Sequence, residues 1–216
     1  MMDFETEEQQ IEALKKWWKD NGRTIIAGFV IGVSVIAGWR YYIDYQRNHA
    51  EYASSVYEKI LLATNNKDAI AQQQMDVNKL LAEYSDTPYA SLAALIFAKS
   101  QFENGDVINA QQNLEWVMLN SKQAELKHLA RTRMIRLMAS MQKYDDALKL
   151  ATVDYPESFA VIYEELKGDI YVFMQRFDDA RAAYDKAILA SSQQPSQWLR
   201  LKRDDLGEPM LKEPSA

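Results

Sequence analysis

Gln142–Ala147 reads QKYDDA and Gln175–Ala180 reads QRFDDA, one phrase returning after 33 residues. A repeat at that period marks stacked helical hairpins, in which no unit can bury its apolar face alone and each neighbour completes the core. The acid pairs Asp145-Asp146 and Asp178-Asp179 suit the start of a second helix, where carboxylates meet the positive end of the helix dipole. The later copy carries the fuller pattern. Leu166, Gly168 and Tyr171 lie on a first helix, and Ala180, Tyr184 and Ala187 on a second, a small-and-aromatic spacing by which paired helices interlock.

Upstream, Met134, Met138 and Ala147 keep part of the same pattern, with Ala151 where an aromatic is usual. An earlier unit runs from Tyr89 through Ala98 and Phe102, turns at Glu103-Asn104-Gly105-Asp106, and resumes at Ala110 and Leu114. Asn-Gly punctuates a helical pattern, and Asp106 can cap the next helix. Two more helices are expected over Asp44–Thr64 and Asp68–Tyr84, the second ended by Ser85-Asp86-Thr87-Pro88. After Gln194-Pro195, an amphipathic helix with Trp198, Leu199, Leu201 and Leu206 is expected to close the open end. The fold class is all-α, with a short tetratricopeptide-like α-solenoid behind one N-terminal transmembrane helix.

That helix is read from Thr24–Trp39, TIIAGFVIGVSVIAGW, sixteen uncharged residues between Arg23 and Arg40. Alone they fall short of the ~30 Å hydrocarbon core. Arg40 can snorkel while Tyr41, Tyr42 and Ile43 continue the helix, and Trp17, Trp18, Trp39 and the tyrosines form two interfacial belts. A cleaved signal peptide fits less well, because 23 residues with several acids precede the apolar run. A soluble core helix would carry more polar residues than Thr24 and Ser34. Lys15, Lys16, Lys19 and Arg23 before the span outweigh Arg40 and Arg47 after it, which keeps the N-terminus in the cytoplasm. The expected organisation is a cytoplasmic tail over 1–22, the span over 23–43, the repeat domain over 44–206 and a disordered tail over 207–216. Gly28 and Gly32 form a G-x-x-x-G that serves either close packing of a partner helix or simply a lipid-facing surface.

Composition narrows the chemistry. A net charge of −6 argues against a nucleic-acid surface, which needs clustered Lys and Arg. Without cysteine there is no thiol nucleophile, thiolate metal site or disulfide, and His49 and His128 stand far apart. No phosphate loop, nucleophile elbow or metalloprotease motif occurs, so neither enzyme activity nor a cofactor or metal is expected. Met134, Met138 and Met141 share a helix face and read as core, with an adaptable binding surface as the alternative.

ALKKWWKDNG at Ala13–Gly22, GWRYY at Gly38–Tyr42, YASLAALIFAKSQFENGD at Tyr89–Asp106 and LKGDIY at Leu166–Tyr171 together resemble the YfgM family, ancillary subunits of the SecYEG translocon in Gram-negative bacteria. The likeness runs from about Phe4 to Leu206, and the tail from Gly207 departs from it. It implies a single-pass inner-membrane protein with periplasmic repeats. It also implies association with SecYEG and with the membrane-tethered chaperone PpiD, and service to secretory client proteins. Residues alone leave open a membrane scaffold that organises cell-envelope or division complexes.

Arrays of this kind line their concave face with the first helix of each hairpin. Counting from Gly168, the groove-facing places are Glu165, Asp169, Val172 and Phe173; the same offsets give Thr132, Arg136 and Ser140 in the middle unit and Lys99, Phe102 and Glu103 in the first. This surface lacks the combined Lys, Asn and Arg cluster with which some tetratricopeptide domains clamp a chain-end carboxylate, and Glu165 stands where such a clamp would want a positive charge. Apolar or mixed segments are the expected ligands, anchored on Phe102 and Phe173, unless both phenylalanines pack between helices.

Overall fold

A computed structural model describes residues 7–63, 69–191 and 196–207, and no strand occurs among them. The tail from 208 onward, the helix start at Asp68 and the Gln194-Pro195 break lie outside the described residues. The chain divides into two compact units, Met1–Tyr52 and Ala53–Ala216.

The first unit is carried by helix α1, Glu7–Ala63. It is long and apolar enough to cross a membrane once. Phe29, Val30, Ile31, Val35 and Ile36 are all exposed along it, as lipid contact requires. Here the structure departs from the expected helix boundaries: α1 runs unbroken past Ile43 to Ala63 in place of a second helix begun at Asp44. Asp44–Ala63 contains no glycine, proline or turn cluster, so nothing stops propagation. Contacts one turn apart support it, with Gln46 Nε2 donating to Tyr42 Oη at 3.0 Å and Tyr45 stacked on His49 at 5.8 Å.

In the second unit the end of α1 pairs with α2 (Ile70–Glu83), and three hairpins follow: α3 (Pro88–Glu103) with α4 (Val107–Asn120), α5 (Ala124–Ser140) with α6 (Tyr144–Ala151), and α7 (Ala160–Phe173) with α8 (Phe177–Ala190). A closing helix, α9, spans Gln197–Asp204. Each core joins neighbours. Ala53, Val56 and Ile60 of α1 meet Val77, Leu80 and Phe97. Leu95, Ala98, Leu114 and Val117 meet Ala130, Met134 and Leu137. On its other side α5 sets Ile135 against Ala147, Tyr163, Leu166 and Ile170. Met134 is therefore core, as expected, whereas Met141 ends α5 partly exposed.

Helix α6 is short, and Tyr155 from the loop behind it stacks on Tyr163 at 4.5 Å in the cluster that holds Ala151. Aromatic bulk missing from the second helix is supplied from either side. In the last hairpin, a Cβ on Gly168 would lie 2.3 Å from Tyr184, so only glycine admits that ring.

The three hairpins share one turn. Gly105, Gln142 and Gln175 have φ of 83°, 61° and 59°, in the left-handed region. The next amides along the chain, of Asp106, Lys143 and Arg176, donate to the carbonyls of Gln101, Met138 and Tyr171, closing a Schellman motif each time. Two of these places hold glutamine, which strains a left-handed backbone that glycine adopts freely. Gln142→Gly and Gln175→Gly should each raise stability by about 0.5–1 kcal/mol in denaturant unfolding of the solubilised protein, after allowing for glycine's greater unfolded-state entropy.

Candidate functional site

The shared turn aligns the first helices: Lys99, Arg136 and Asp169 occupy one equivalent place, Phe102, Ala139 and Val172 another, and Glu103, Ser140 and Phe173 a third. Between α3 and α5 these places open into a groove of ≈ 420 Å³. Ala98, Leu114 and Leu137 form an apolar floor, and Lys99, Phe102, Arg133, Arg136 and Ser140 edge it. Four expected residues from two different units, Lys99, Phe102, Arg136 and Ser140, thus come together.

Phe102 keeps 43% exposure and lines the groove without being sealed between helices. Glu103 lies outside this lining and pairs with Lys99 at 3.5 Å across exposed side chains, a contact of small energetic weight. Thr132 is a correction. It is fully buried, and its hydroxyl donates to the Leu129 carbonyl at 2.9 Å, so it offers nothing to a partner. The reason is that α5 packs on both sides, which narrows its open face compared with a terminal helix.

Arg133 belongs to the site although the counted places omit it. Its guanidinium reaches across from α5 to donate to the Leu95 carbonyl of α3 at 2.9 Å. Burial, and then the neighbouring Arg136, push Arg133 below the ordinary arginine value, though it stays charged. Helical spacing could have found it, because Arg133, Arg136, Leu137 and Ser140 step along one face.

The last hairpin is differently occupied. Lys202 of α9 donates to Glu165 at 2.8 Å and to Asp169 at 2.8 and 2.9 Å, while Leu199 is buried against Tyr184 and Ala187. Burial disfavours the Lys202 charge, but Asp169 and Glu165 outweigh it and raise the ammonium above the ordinary lysine value. Val172 packs into the same cluster. Phe173 is 61% exposed and stacks on Tyr144 of α6 at 5.9 Å. Glu165, Asp169 and Val172 are thus held by the chain itself.

His128 is half-buried, with Nδ1 3.0 Å from the Tyr163 hydroxyl and its ring against Phe159, a joint between α5 and α7. Among the described residues no group of His, Asp and Glu is placed to hold a metal.

A family profile of the tetratricopeptide repeat-like domain matches residues 15–208, nearly the whole of this architecture. A protein of Haemophilus influenzae called the ancillary SecYEG translocon subunit is 30% identical over 200 residues, covering 93% of this chain and 97% of the relative. The chain belongs to the YfgM family. Proteins of the same description from Escherichia coli, 27% identical over 86% of this chain and 88% of the relative, and from Neisseria gonorrhoeae, 25% over 93% and 97%, extend that family's likeness. No solved structure matches the chain.

Because Phe102 and Phe173 are exposed, Phe102→Ser and Phe173→Ser should each change unfolding stability by less than about 1 kcal/mol. A loss near the ~3–5 kcal/mol of a core phenylalanine would place that ring in the core.

Proposed function

We propose that the chain is a non-catalytic accessory subunit of the SecYEG translocon, holding its repeat domain in the periplasm of a bacterial inner membrane. The observation that carries this reading is the open groove between consecutive first helices, in a chain whose α1 is long enough to cross the bilayer. Relatives named for the same translocon support the assignment. Lys15, Lys16, Lys19 and Arg23 ahead of the apolar run favour a cytoplasmic N-terminus.

The mechanism is proximity. Tethering beside the channel raises the effective concentration of a weak binding surface to about millimolar, so a shallow groove suffices. Emerging secretory chains, and a PpiD-like membrane-tethered chaperone, are the partners. Nothing within 4 Å would obstruct a Cβ at Gly28 or Gly32, which leaves that face of α1 open to a neighbouring helix.

Affinity purification of the tagged full chain from mild detergent should recover the translocon subunits. Their consistent absence, with the protein intact in the membrane, refutes the assignment and favours an envelope scaffold. In the same assay, replacing Gly28 and Gly32 together by Leu should leave insertion unchanged and lower recovery of the translocon, because bulk prevents close backbone approach. Undiminished recovery would shift the contact to the repeat domain.

A further inference from the structure

Two junctions of the repeat domain are built alike but differ in charge. Helix α9 stands against the last hairpin as α5 stands against the first. Leu199 is buried on Tyr184 and Ala187, and Ala130 on the aligned Leu114 and Val117. Three residues further on, Lys202 and Arg133 both reach back to the preceding first helix. Lys202 finds two carboxylates there, Glu165 and Asp169. Arg133 finds Leu95 and Lys99 at the aligned places, with Arg136 beside it.

None of the residues lining the α3/α5 groove is acidic, and three of them are cations. Among the described residues, only Lys99 of these three has a carboxylate partner, the exposed Glu103 at the rim. Such a concentration of positive charge is conspicuous in a chain of net charge −6. Of the three, Arg133 is half-buried, and a half-buried cation is normally paired, since removing it from water costs free energy that a well-placed carboxylate offsets in part.

We propose that this groove selects acidic-apolar polypeptide segments, setting an Asp or Glu side chain of the partner between Arg133 and Arg136 while an apolar side chain rests on Phe102, Leu114 and Leu137. This goes beyond the reading of the groove as a docking surface, and rests on it. The ligand supplies the carboxylate that Glu165 and Asp169 supply internally at the other junction. Arginine's fork can hold it bidentately, which sharpens selection over a bare point charge. The expected preference for merely apolar or mixed segments is thereby narrowed to acidic ones.

Three fluorescent peptides test this, alike in their Leu and Phe residues, blocked at both ends, and interleaved with Glu, Gln or Lys. They are titrated against the full-length protein in zwitterionic nanodiscs. The Glu peptide should bind about tenfold tighter than the Gln peptide, with the Lys peptide weakest. Arg136 is exposed, so Arg136→Glu should fold normally and reverse the order. Equal affinity for all three, weakened alike by Phe102→Ser, overturns charge selection and leaves the docking surface standing. Absence of binding by any peptide overturns both. Displacement of the Glu peptide by phosphatidylglycerol vesicles as readily as by unlabelled peptide assigns the cations to lipid and overturns the proposal.

Discussion

The left-handed residue that ends the first helix of each hairpin sets the phase of everything after it. Gly105, Gln142 and Gln175 reverse the chain with the same pair of backbone hydrogen bonds, so the second helix always leaves in one direction and at one register. Because the phase repeats, Ala110, Ala147 and Ala180 all fall at the close contact between paired helices, each fully buried. The same phase brings Lys99 and Arg136 into one groove and turns Asp169 toward α9. A change of register at one turn would scatter these residues around their helices.

Stacking then decides which surfaces remain open. An interior helix such as α5 gives one side to Leu114 and Val117 and the other to Tyr163 and Ile170, leaving a narrow strip for contact with anything else. Arg133, Arg136 and Ser140 occupy that strip beside α3. At the end of the array α9 takes the place of a further hairpin and satisfies the charges of α7 with Lys202, while Arg203 pairs with Asp185 at 2.9 Å. The closing helix thus finishes the core and engages the half-buried Glu165 and Asp169, and the groove between α3 and α5 remains open.

Much of this was legible in the residues. The 33-residue recurrence fixed the hairpins, and small residues at Gly168 and Ala180 foretold the tight helix contacts. The acid pairs stand in the first turns of α6 and α8, as the dipole argument required. What escaped had physical causes. Glutamine carries no turn signal, so the left-handed role of Gln142 and Gln175 was invisible beside Gly105. The passage from Ile43 to Asp44 changes polarity without a helix stop, and polarity alone suggested a break that the backbone does not make. Counting places along a first helix located Lys99, Phe102, Arg136 and Ser140, yet it could not know that α5 is covered on both sides, which buries Thr132 and draws Arg133 into the site.

The central claim is that this groove meets polypeptide leaving the translocon, and contact with such a chain tests it most directly. A photo-crosslinking residue at Ser140, which is exposed and edges the groove, would be compared with one at Leu189, which is exposed on α8 outside the groove lining. Both would be exposed in living cells to a secretory protein stalled during export. Adducts to the stalled chain from Ser140 and not from Leu189 are predicted. Equal yields from both places, or none from Ser140 while translocon subunits still co-purify, would contradict a groove that receives clients.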